Sequence, residues 1–210
     1  CPPSVTASSG MDAFSQLLEA YTSTKASPMT DSLSFSGMSY MKDNLVSACG
    51  QGATDINVRT EMAYGSLMSG ICLANAGLGV VHGIAGPIGG LFEIPHGVVC
   101  GTLLAEATKM NIEKLKQRNS RISKQYLKKH ADIGALLAEK SYKNDSEVSK
   151  YCNILIEKIE DWTKILKINT LGEYGITEKD LDTITEKSAL KNNPVDLSKR
   201  QMREILKERL

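Results

Sequence analysis

Residues 62–92 contain no Asp, Glu, Lys or Arg. An uncharged run of this length belongs either in a protein core or across a membrane, since a spanning helix needs about 20 consecutive apolar residues. Eight glycines and Pro87 interrupt the run, and both residue types weaken a continuous helix. The sequence therefore favours a buried core helix followed by a turn-rich segment over a membrane span.

The composition is typical of a soluble globular protein. The chain has 210 residues, of which 41% are hydrophobic, and a formal charge of +1, which suits one or two cores. Residues 1–100 hold 3 basic and 7 acidic side chains, whereas residues 101–210 hold 22 and 17. The first part is therefore predicted to supply more of the interior and the second to present solvated helices. The near-zero net charge argues against a nucleic-acid partner.

The five cysteines are widely spaced and form no Cys-x-x-Cys pair. Their odd number and spacing predict reduced thiols in a cytoplasmic protein. No membrane partner is expected, because glycines and Pro87 interrupt the uncharged run. Cys72 and Cys100 lie on either side of the segment that carries two histidines, and no basic residue lies beside them. Both are therefore predicted to be small buried hydrophobes rather than nucleophiles.

Apolar residues recur at helical spacing along most of the chain, and no alternating β-branched run is long enough for a sheet. We therefore predict an all-α, multi-helix fold. The predicted helix over residues 55–76 is rich in small residues that allow close packing, so it is expected to be central and well buried. The predicted helices span residues 9–24, opened by a capping box at Ser9-x-x-Asp12, then 28–50, 55–76, 98–110, 121–140 and 148–166, with further helix starts at Thr177 and Ser198.

His82 and His96 lie among glycines, prolines and apolar side chains. An imidazole in such a setting must hydrogen-bond or bind a metal, because an unpartnered buried polar group costs several kcal/mol. The two histidines would have to converge across a predicted turn at residues 86–90. Structural hydrogen bonding and metal ligation both remain open at this point. His130 lies among charged residues, so it is predicted to be exposed and is given no role.

Five short motifs occur in order along the chain. They are residues 10–14 (Gly-Met-Asp-Ala-Phe), 18–21 (Leu-Glu-Ala-Tyr), 75–83 (Asn-Ala-Gly-Leu-Gly-x-x-His-Gly), 87–90 (Pro-x-Gly-Gly) and 94–97 (Ile-Pro-His-Gly). Together they resemble the C-terminal helical domain of the iron-containing (group III) alcohol dehydrogenases, in the dehydroquinate synthase-like superfamily. Residues 192–195 (Asn-Asn-Pro-Val) are also similar to that family, whereas residues 111–190 share only its general helical pattern.

The resemblance has a consequence for domain organisation. In that family a first domain binds NAD(P) through a Gly-Gly-Gly-Ser turn, and the helical domain carries a divalent metal in the cleft between the two. This sequence has no Gly-Gly-Gly-Ser turn and begins at Cys1 without an initiator Met. The resemblance therefore implies a single helical domain over residues 1–210, the metal-site half of a two-domain dehydrogenase, with the N-terminal nucleotide-binding domain absent. NAD(P) would be bound mainly by that missing domain.

The resemblance also implies a set of metal ligands. The family uses an Asp and a His four residues apart on the first helix and two later histidines. Asp12, His82 and His96 match three of these ligands, whereas Gln16 stands where the second should be His. An amide oxygen is a weaker donor than imidazole to Fe²⁺ or Zn²⁺. Gly86 stands where many members have a further His, so no catalytic side chain is assigned.

The implied activity is NAD(P)-dependent interconversion of a small alcohol with an aldehyde or ketone, with a metal, Fe²⁺ or Zn²⁺, polarising the substrate oxygen. The isolated chain is expected to be inactive, and a homodimer is a further expectation from the family. Leu91, Phe92 and Ile94 are candidates for an apolar pocket wall or for plain core. Because of Gln16 and Gly86, two alternatives stay open: a metal-independent reductase of the same superfamily, as for maleylacetate, or a non-catalytic helical module that has lost the metal.

Overall fold

The computed structural model describes residues 1–210 and contains nine α-helices, two short 3₁₀ segments and no strand. The predicted all-α fold is confirmed. The 3₁₀ segments are Asp145–Glu147 and Gly172–Tyr174. The helices are α1 (Pro3–Thr22), α2 (Pro28–Ala48), α3 (Ile56–Ala76), α4 (Val80–Leu91), α5 (His96–Arg118), α6 (Arg121–Leu137), α7 (Val148–Ile165), α8 (Leu181–Lys187) and α9 (Lys199–Lys207).

Helix α1 is the central helix, and it packs against α2, α3, α5 and α6. It begins six residues earlier than predicted, because Pro3 occupies its first turn, where a proline is already set to the helical φ. The predicted capping box at Ser9 is wrong: the Ser9 hydroxyl lies inside the helix and donates to the carbonyl of Val5. Phe14 on α1 meets Trp162 of α7 edge-to-face, with ring centroids 4.9 Å apart, at the centre of the core.

Helix α3 is not the central helix that its small residues predicted. One face packs on α1 and α2, and there Gly65 permits close approach, since a Cβ would lie 2.3 Å from Cγ of Met41. The opposite face is open to solvent, with Ile56 and Leu67 74% and 61% exposed. No single helix of this chain is long and apolar enough to cross a membrane; only α3 and α4 taken together reach that length and composition, and they meet at a bend of 98°.

The predicted turn at residues 86–90 is also wrong, because these residues form the second half of α4. Pro87 lies inside the helix and has no N–H to donate to the carbonyl of Gly83. That carbonyl accepts instead from the N–H of Ala189, at 3.4 Å, in the segment that follows α8. Tertiary contact thus supplies the hydrogen bond that proline removes, and the helix continues.

Several other predicted helices are confirmed. Helix α2 begins at Pro28 after a capping box formed by Ser27 and Thr30, and the Ser198 box opens α9. The apolar stripe of α7 faces the core, where Cys152, Leu155, Ile159 and Trp162 are buried. Pro28 and Asp31 predict the start of α2, and Ser198-x-x-Gln201 predicts that of α9, because each signal lies within three or four residues.

The prediction that His130 is exposed is wrong. Its side chain is buried within α6, and its Nδ1–H donates to the carbonyl of Tyr126 at 2.7 Å. Burial disfavours the charged imidazolium and lowers the pKa of His130 to about 4, from 6.5 in an unperturbed histidine. The folded chain therefore keeps this imidazole neutral in mildly acidic solution.

This burial predicts an acid-dependent loss of stability. Below pH 6.5 the unfolded chain gains a proton on His130, whereas the folded chain does so only near pH 4, so stability falls as the pH drops through this window. Between pH 7.5 and 5.0 the contribution amounts to about 2 kcal/mol. Urea unfolding at the two pH values, with EDTA present, should show that much less pH dependence in His130→Gln than in the wild type.

Lys128→Gln, at an exposed neighbour on the same helix, is the matched control and should keep the full pH dependence. Equal pH dependence in His130→Gln and the wild type would contradict the buried neutral state of His130.

Candidate metal centre

Four metal-ligating side chains from three helices converge at one point. Asp12 comes from α1, His82 from α4, and His96 and Cys100 from α5. Each offers one donor atom, and all four atoms lie within 4.8 Å of one another. The structure thus brings together three of the predicted site residues and adds Cys100, which the sequence analysis assigned to the core.

The approach of α5 to α1 places His96 and Asp12 together. Pro95 precedes α5, and His96 is its first residue. Gly97 follows, and a Cβ there would lie 2.5 Å from the carbonyl oxygen of Ser8 on α1, so only glycine allows this contact. His96 Nε2 consequently lies 3.8 Å from Asp12 Oδ1. The close crossing explains the glycine of the Pro-His-Gly motif.

Glu19, a buried carboxylate that the sequence analysis did not single out, holds His82 in place. Glu19 Oε2 lies 2.7 Å from Nδ1 of His82, and Glu19 Oε1 accepts the backbone N–H of Val81 at 2.7 Å. A carboxylate at the N-terminus of α4 is favourable because the first N–H groups of a helix have no partner within it. With Nδ1–H donated to Glu19, the His82 Nε2 faces Asp12 Oδ1 at 3.1 Å.

The Asn-Asn-Pro-Val motif also supports the start of α4. Asn193 Oδ1 accepts the backbone N–H of Val80 at 3.3 Å. Asn193 and Asn111 exchange two hydrogen bonds, of 2.7 and 3.1 Å, and both residues are buried. The first turn of α4, which carries His82, is therefore fixed from α1 by Glu19 and from the C-terminal segment by Asn193.

The charge distribution of the centre suits a cation. Burial alone would lower the pKa of His82, but hydrogen bonds to Asp12 and Glu19 outweigh burial and raise it to about 9. Burial opposes ionisation of Asp12 too, and the hydrogen bond with His82 still lowers the pKa of that carboxyl group. Two carboxylates thus surround one positive charge. Carboxylate, imidazole and thiol are donors typical of Zn²⁺ and iron sites, so the residues fit a divalent metal.

Gln16 touches the centre through Asp12. Its Nε2 donates to Asp12 Oδ2 at 3.2 Å, one helical turn away on α1. Because Oδ2 is an anionic acceptor, the amide turns its nitrogen and not its oxygen toward Asp12. Ligation of a metal by the Gln16 oxygen stays a prediction.

One side of the centre is open. The side chain of His96 is 51% exposed, and the face of α4 that continues from His82 carries Gly86, Gly89 and Gly90, since positions i, i+4, i+7 and i+8 lie on one side of a helix. A Cβ at any of these glycines would meet nothing within 4 Å. Of the candidate wall residues, Leu91 is 40% exposed, Phe92 is half-buried and Ile94 is buried. Leu91 lies nine residues after His82 and so projects from the opposite side of α4, and the pocket-wall role stays a prediction.

The contact between Glu19 and His82 predicts a loss of metal affinity in Glu19→Gln. The single oxygen of the neutral amide accepts from either the His82 Nδ1–H or the Val81 N–H but not both, and the amide no longer stabilises a nearby cation. Loss of such a supporting partner typically costs about 10–100-fold in metal affinity. Competition of Zn²⁺ between the protein and a chromophoric chelator measures the change. Glu93→Gln, which neutralises an exposed carboxylate just before α5, should leave the affinity unaltered; an unaltered affinity in Glu19→Gln would show that Glu19 does not support the centre.

The molecule is thus an all-α domain in which a carboxylate and two imidazoles meet on an open face and form a candidate metal site. The chain belongs to the Fe-containing alcohol dehydrogenase family, whose C-terminal region matches residues 6–210. The family resemblance noted from the motifs is thereby confirmed.

Individual proteins similar in sequence include two alcohol dehydrogenases. The chain is 30% identical over 214 residues to alcohol dehydrogenase 4 of Saccharomyces cerevisiae, covering 99% of this chain and 51% of that protein. It is 33% identical over 211 residues to long-chain-alcohol dehydrogenase 1 of Geobacillus thermodenitrificans, covering 97% and 50%. The chain spans about half the length of the curated relatives it matches.

Among solved structures, a 1,3-propanediol oxidoreductase superposes with a TM-score of 0.86 at 28% identity, covering 100% of this chain and 53% of that one. The maleylacetate reductase of Agrobacterium tumefaciens superposes with a TM-score of 0.78 at 21% identity over 100% of this chain and 53% of that one. The second likeness shows the fold alone.

Proposed function

We propose that this chain is the metal-binding half of an NAD(P)-dependent alcohol dehydrogenase, which interconverts an alcohol and an aldehyde or ketone. The observation that carries the proposal is the convergence of Asp12, His82 and His96 beside the uncovered glycine face of α4. Membership of the Fe-containing alcohol dehydrogenase family supports the same reaction class.

Asp12 would be the anionic ligand, and the Nε2 atoms of His82 and His96 the neutral nitrogen donors. Fe²⁺ or Zn²⁺ bound there would act as a Lewis acid toward the oxygen of the substrate. Glu19 orients the His82 ring through Nδ1, and Gln16 orients Asp12 through Oδ2. Both contacts leave the donor atoms directed at one point before a metal arrives, which reduces the cost of ordering them.

The open face next to the centre is suited to two flat or small reactants. Gly86, Gly89 and Gly90 place backbone and no side chain there, so a nicotinamide ring and a small substrate could both lie close to α4. Phe92, which directly follows α4, is a candidate for an apolar border, as in most small-molecule sites. The dinucleotide itself would be held mainly by a nucleotide-binding domain opposite this face. The five free cysteines suit a reducing compartment such as the cytoplasm.

Hydride transfer requires that both reactants are held in place. The chain spans about half of its relatives, so it supplies one side of the proposed cleft, and we expect it to be inactive alone. A fusion of a relative's nucleotide-binding domain to residue 1 should reduce aldehydes with NADH or NADPH once Zn²⁺ or Fe²⁺ is added.

A metal-independent reductase is the second candidate, and the amide nitrogen that Gln16 turns toward Asp12 favours it, since this residue then donates a hydrogen bond and no lone pair. Activity of the fusion that resists chelators and survives His96→Ala would support this candidate. Activity that is lost on addition of a chelator and also in His96→Ala would support the metal-dependent dehydrogenase. A folded fusion that binds nucleotide but has no activity with or without metal would contradict both and favour a non-catalytic module.

A further inference from the structure

We propose that Cys100 supplies the fourth donor of the metal centre, giving an Asp-His-His-Cys site that prefers thiophilic ions such as Zn²⁺ over Fe²⁺. The inference rests on the proposed function, because it deepens the same site. Cys100 Sγ lies 3.5 Å from Nε2 of His82 and 3.4 Å from Nε2 of His96, and the residue is fully buried.

These separations match those of atoms that share one ion. Zn–S and Zn–N bonds of about 2.3 and 2.05 Å in a tetrahedral site place sulfur and nitrogen donors about 3.6 Å apart. The two sulfur–nitrogen separations here are 3.5 and 3.4 Å, and the Asp12 oxygen lies 3.1 and 3.8 Å from the two imidazole nitrogens. Four of the six donor–donor separations are therefore close to those of such a site, and all six lie within 4.8 Å.

The helical register provides a second argument. His96 and Cys100 are four residues apart on α5, so both side chains lie on the same face of one helix. Two ligands at this spacing are the arrangement by which a single helix binds zinc in other proteins. Gln16 has the same spacing from Asp12 on α1, but its amide nitrogen donates to Asp12 Oδ2. Gln16 is thus a positioning residue, and Cys100 takes the remaining corner.

Ligation changes the state of the thiol. In the metal-free chain, burial and then the nearby Asp12 raise the pKa of Cys100, so it is a neutral thiol. A coordinating thiol is deprotonated by the metal. Binding of one M²⁺ through Cys100 Sγ therefore releases the thiol proton to water, with no redox change. A thiolate donor favours Zn²⁺ and Co²⁺ over harder ions.

Cobalt substitution tests the proposal without an activity assay. All measurements use a Cys1→Ser background under reducing conditions, because the exposed Cys1 thiol is itself a metal-binding group. Titration with Co²⁺ should give a thiolate-to-cobalt charge-transfer band in the near ultraviolet, together with the visible bands of a four-coordinate site. Cys100→Ser and Cys100→Ala should both remove the charge-transfer band and weaken Zn²⁺ binding by at least about 10-fold. Cys72→Ser, at a buried cysteine that hydrogen-bonds to Thr30 on α2, should keep both.

The outcomes separate the two proposals. Stoichiometric Co²⁺ binding without the charge-transfer band, or a band that persists in both folded Cys100 variants, overturns the role of Cys100 and leaves the Asp12, His82 and His96 centre standing. Failure of the folded Cys1→Ser chain, with Cys100 intact, to bind Co²⁺ or Zn²⁺ overturns both. Circular dichroism of each variant establishes that it is folded.

Discussion

Replacing His96 with alanine should weaken the affinity of the chain for Zn²⁺ by at least about 100-fold while leaving the fold intact, because loss of a direct ligand costs more than loss of a supporting partner. His96 is the ligand best suited to this test. Its side chain is half exposed, and its contacts are with Asp12 and Cys100 in the centre itself. His82, by contrast, also neutralises the buried Glu19, so its removal would disturb folding as well.

Titration of Zn²⁺ against a competing chelator measures the affinity, and urea unfolding with EDTA checks the stability. Glu93→Ala removes an exposed charged side chain three residues before His96 and serves as the control for nonspecific loss of surface charge. An affinity in His96→Ala within threefold of the wild type would remove His96 from the ligand set.

Replacing Gly83 with alanine should destabilise the chain by about 3 kcal/mol or more, at the upper end of the overpacking range. A Cβ at Gly83 would lie 1.7 Å from the carbonyl oxygen of Ala189 and 2.9 Å from its carbonyl carbon. Both partners are main chain, so no side chain can rotate away. The same two residues also share the hydrogen bond that replaces the one lost at Pro87, and separating them breaks it.

Gly89→Ala is the matched control on the same helix, because Gly86 directly precedes Pro87, whose ring disfavours a Cβ at the preceding helical position. A Cβ at Gly89 meets nothing within 4 Å, so alanine should stabilise α4 by up to about 1 kcal/mol through its higher helix propensity. Urea unfolding midpoints of the two variants should therefore move in opposite directions. Destabilisation of equal size in both would mean that backbone strain in α4, rather than the contact with Ala189, limits substitution.

The helices that were predicted correctly are specified by side chains that lie close together in the sequence. Helices α2 and α9 have local capping boxes, and α7 has an apolar stripe at regular spacing. Helix α4 has neither, and its glycines and Pro87 oppose helix formation on intrinsic propensity. It is helical because Glu19 and Asn193 hold its start and Ala189 bonds to Gly83. Contacts between residues more than 60 positions apart cannot be read from a local pattern.

Three residues of the candidate metal centre were predicted from the sequence, and two others, Cys100 and Glu19, were missed. Asp12, His82 and His96 came from the family motifs, and the structure brings them together. Cys100 was missed because α5 was expected to begin at residue 98, which left His96 outside the helix and hid the four-residue spacing. Glu19 follows Asp12 by seven residues and so lies on the same face of α1, a signal that the sequence contained.

The charged residues that adjoin His130 in sequence predict, wrongly, that it is exposed to solvent. Leu127, His130, Ala131 and Gly134 nevertheless recur at three- and four-residue intervals, and all four are buried. The helical period was the better guide to burial than the neighbours in sequence.

The most direct test of the metal centre is the metal content of the chain itself. The protein is purified anaerobically, incubated with Zn²⁺ or Fe²⁺, desalted and analysed for metal and protein, beside Asp12→Ala and His96→Ala. Retention of one ion per wild-type chain, lost in both variants, is the predicted result. A wild-type chain that retains no ion, or variants that retain as much as the wild type, would contradict a centre built from Asp12, His82 and His96.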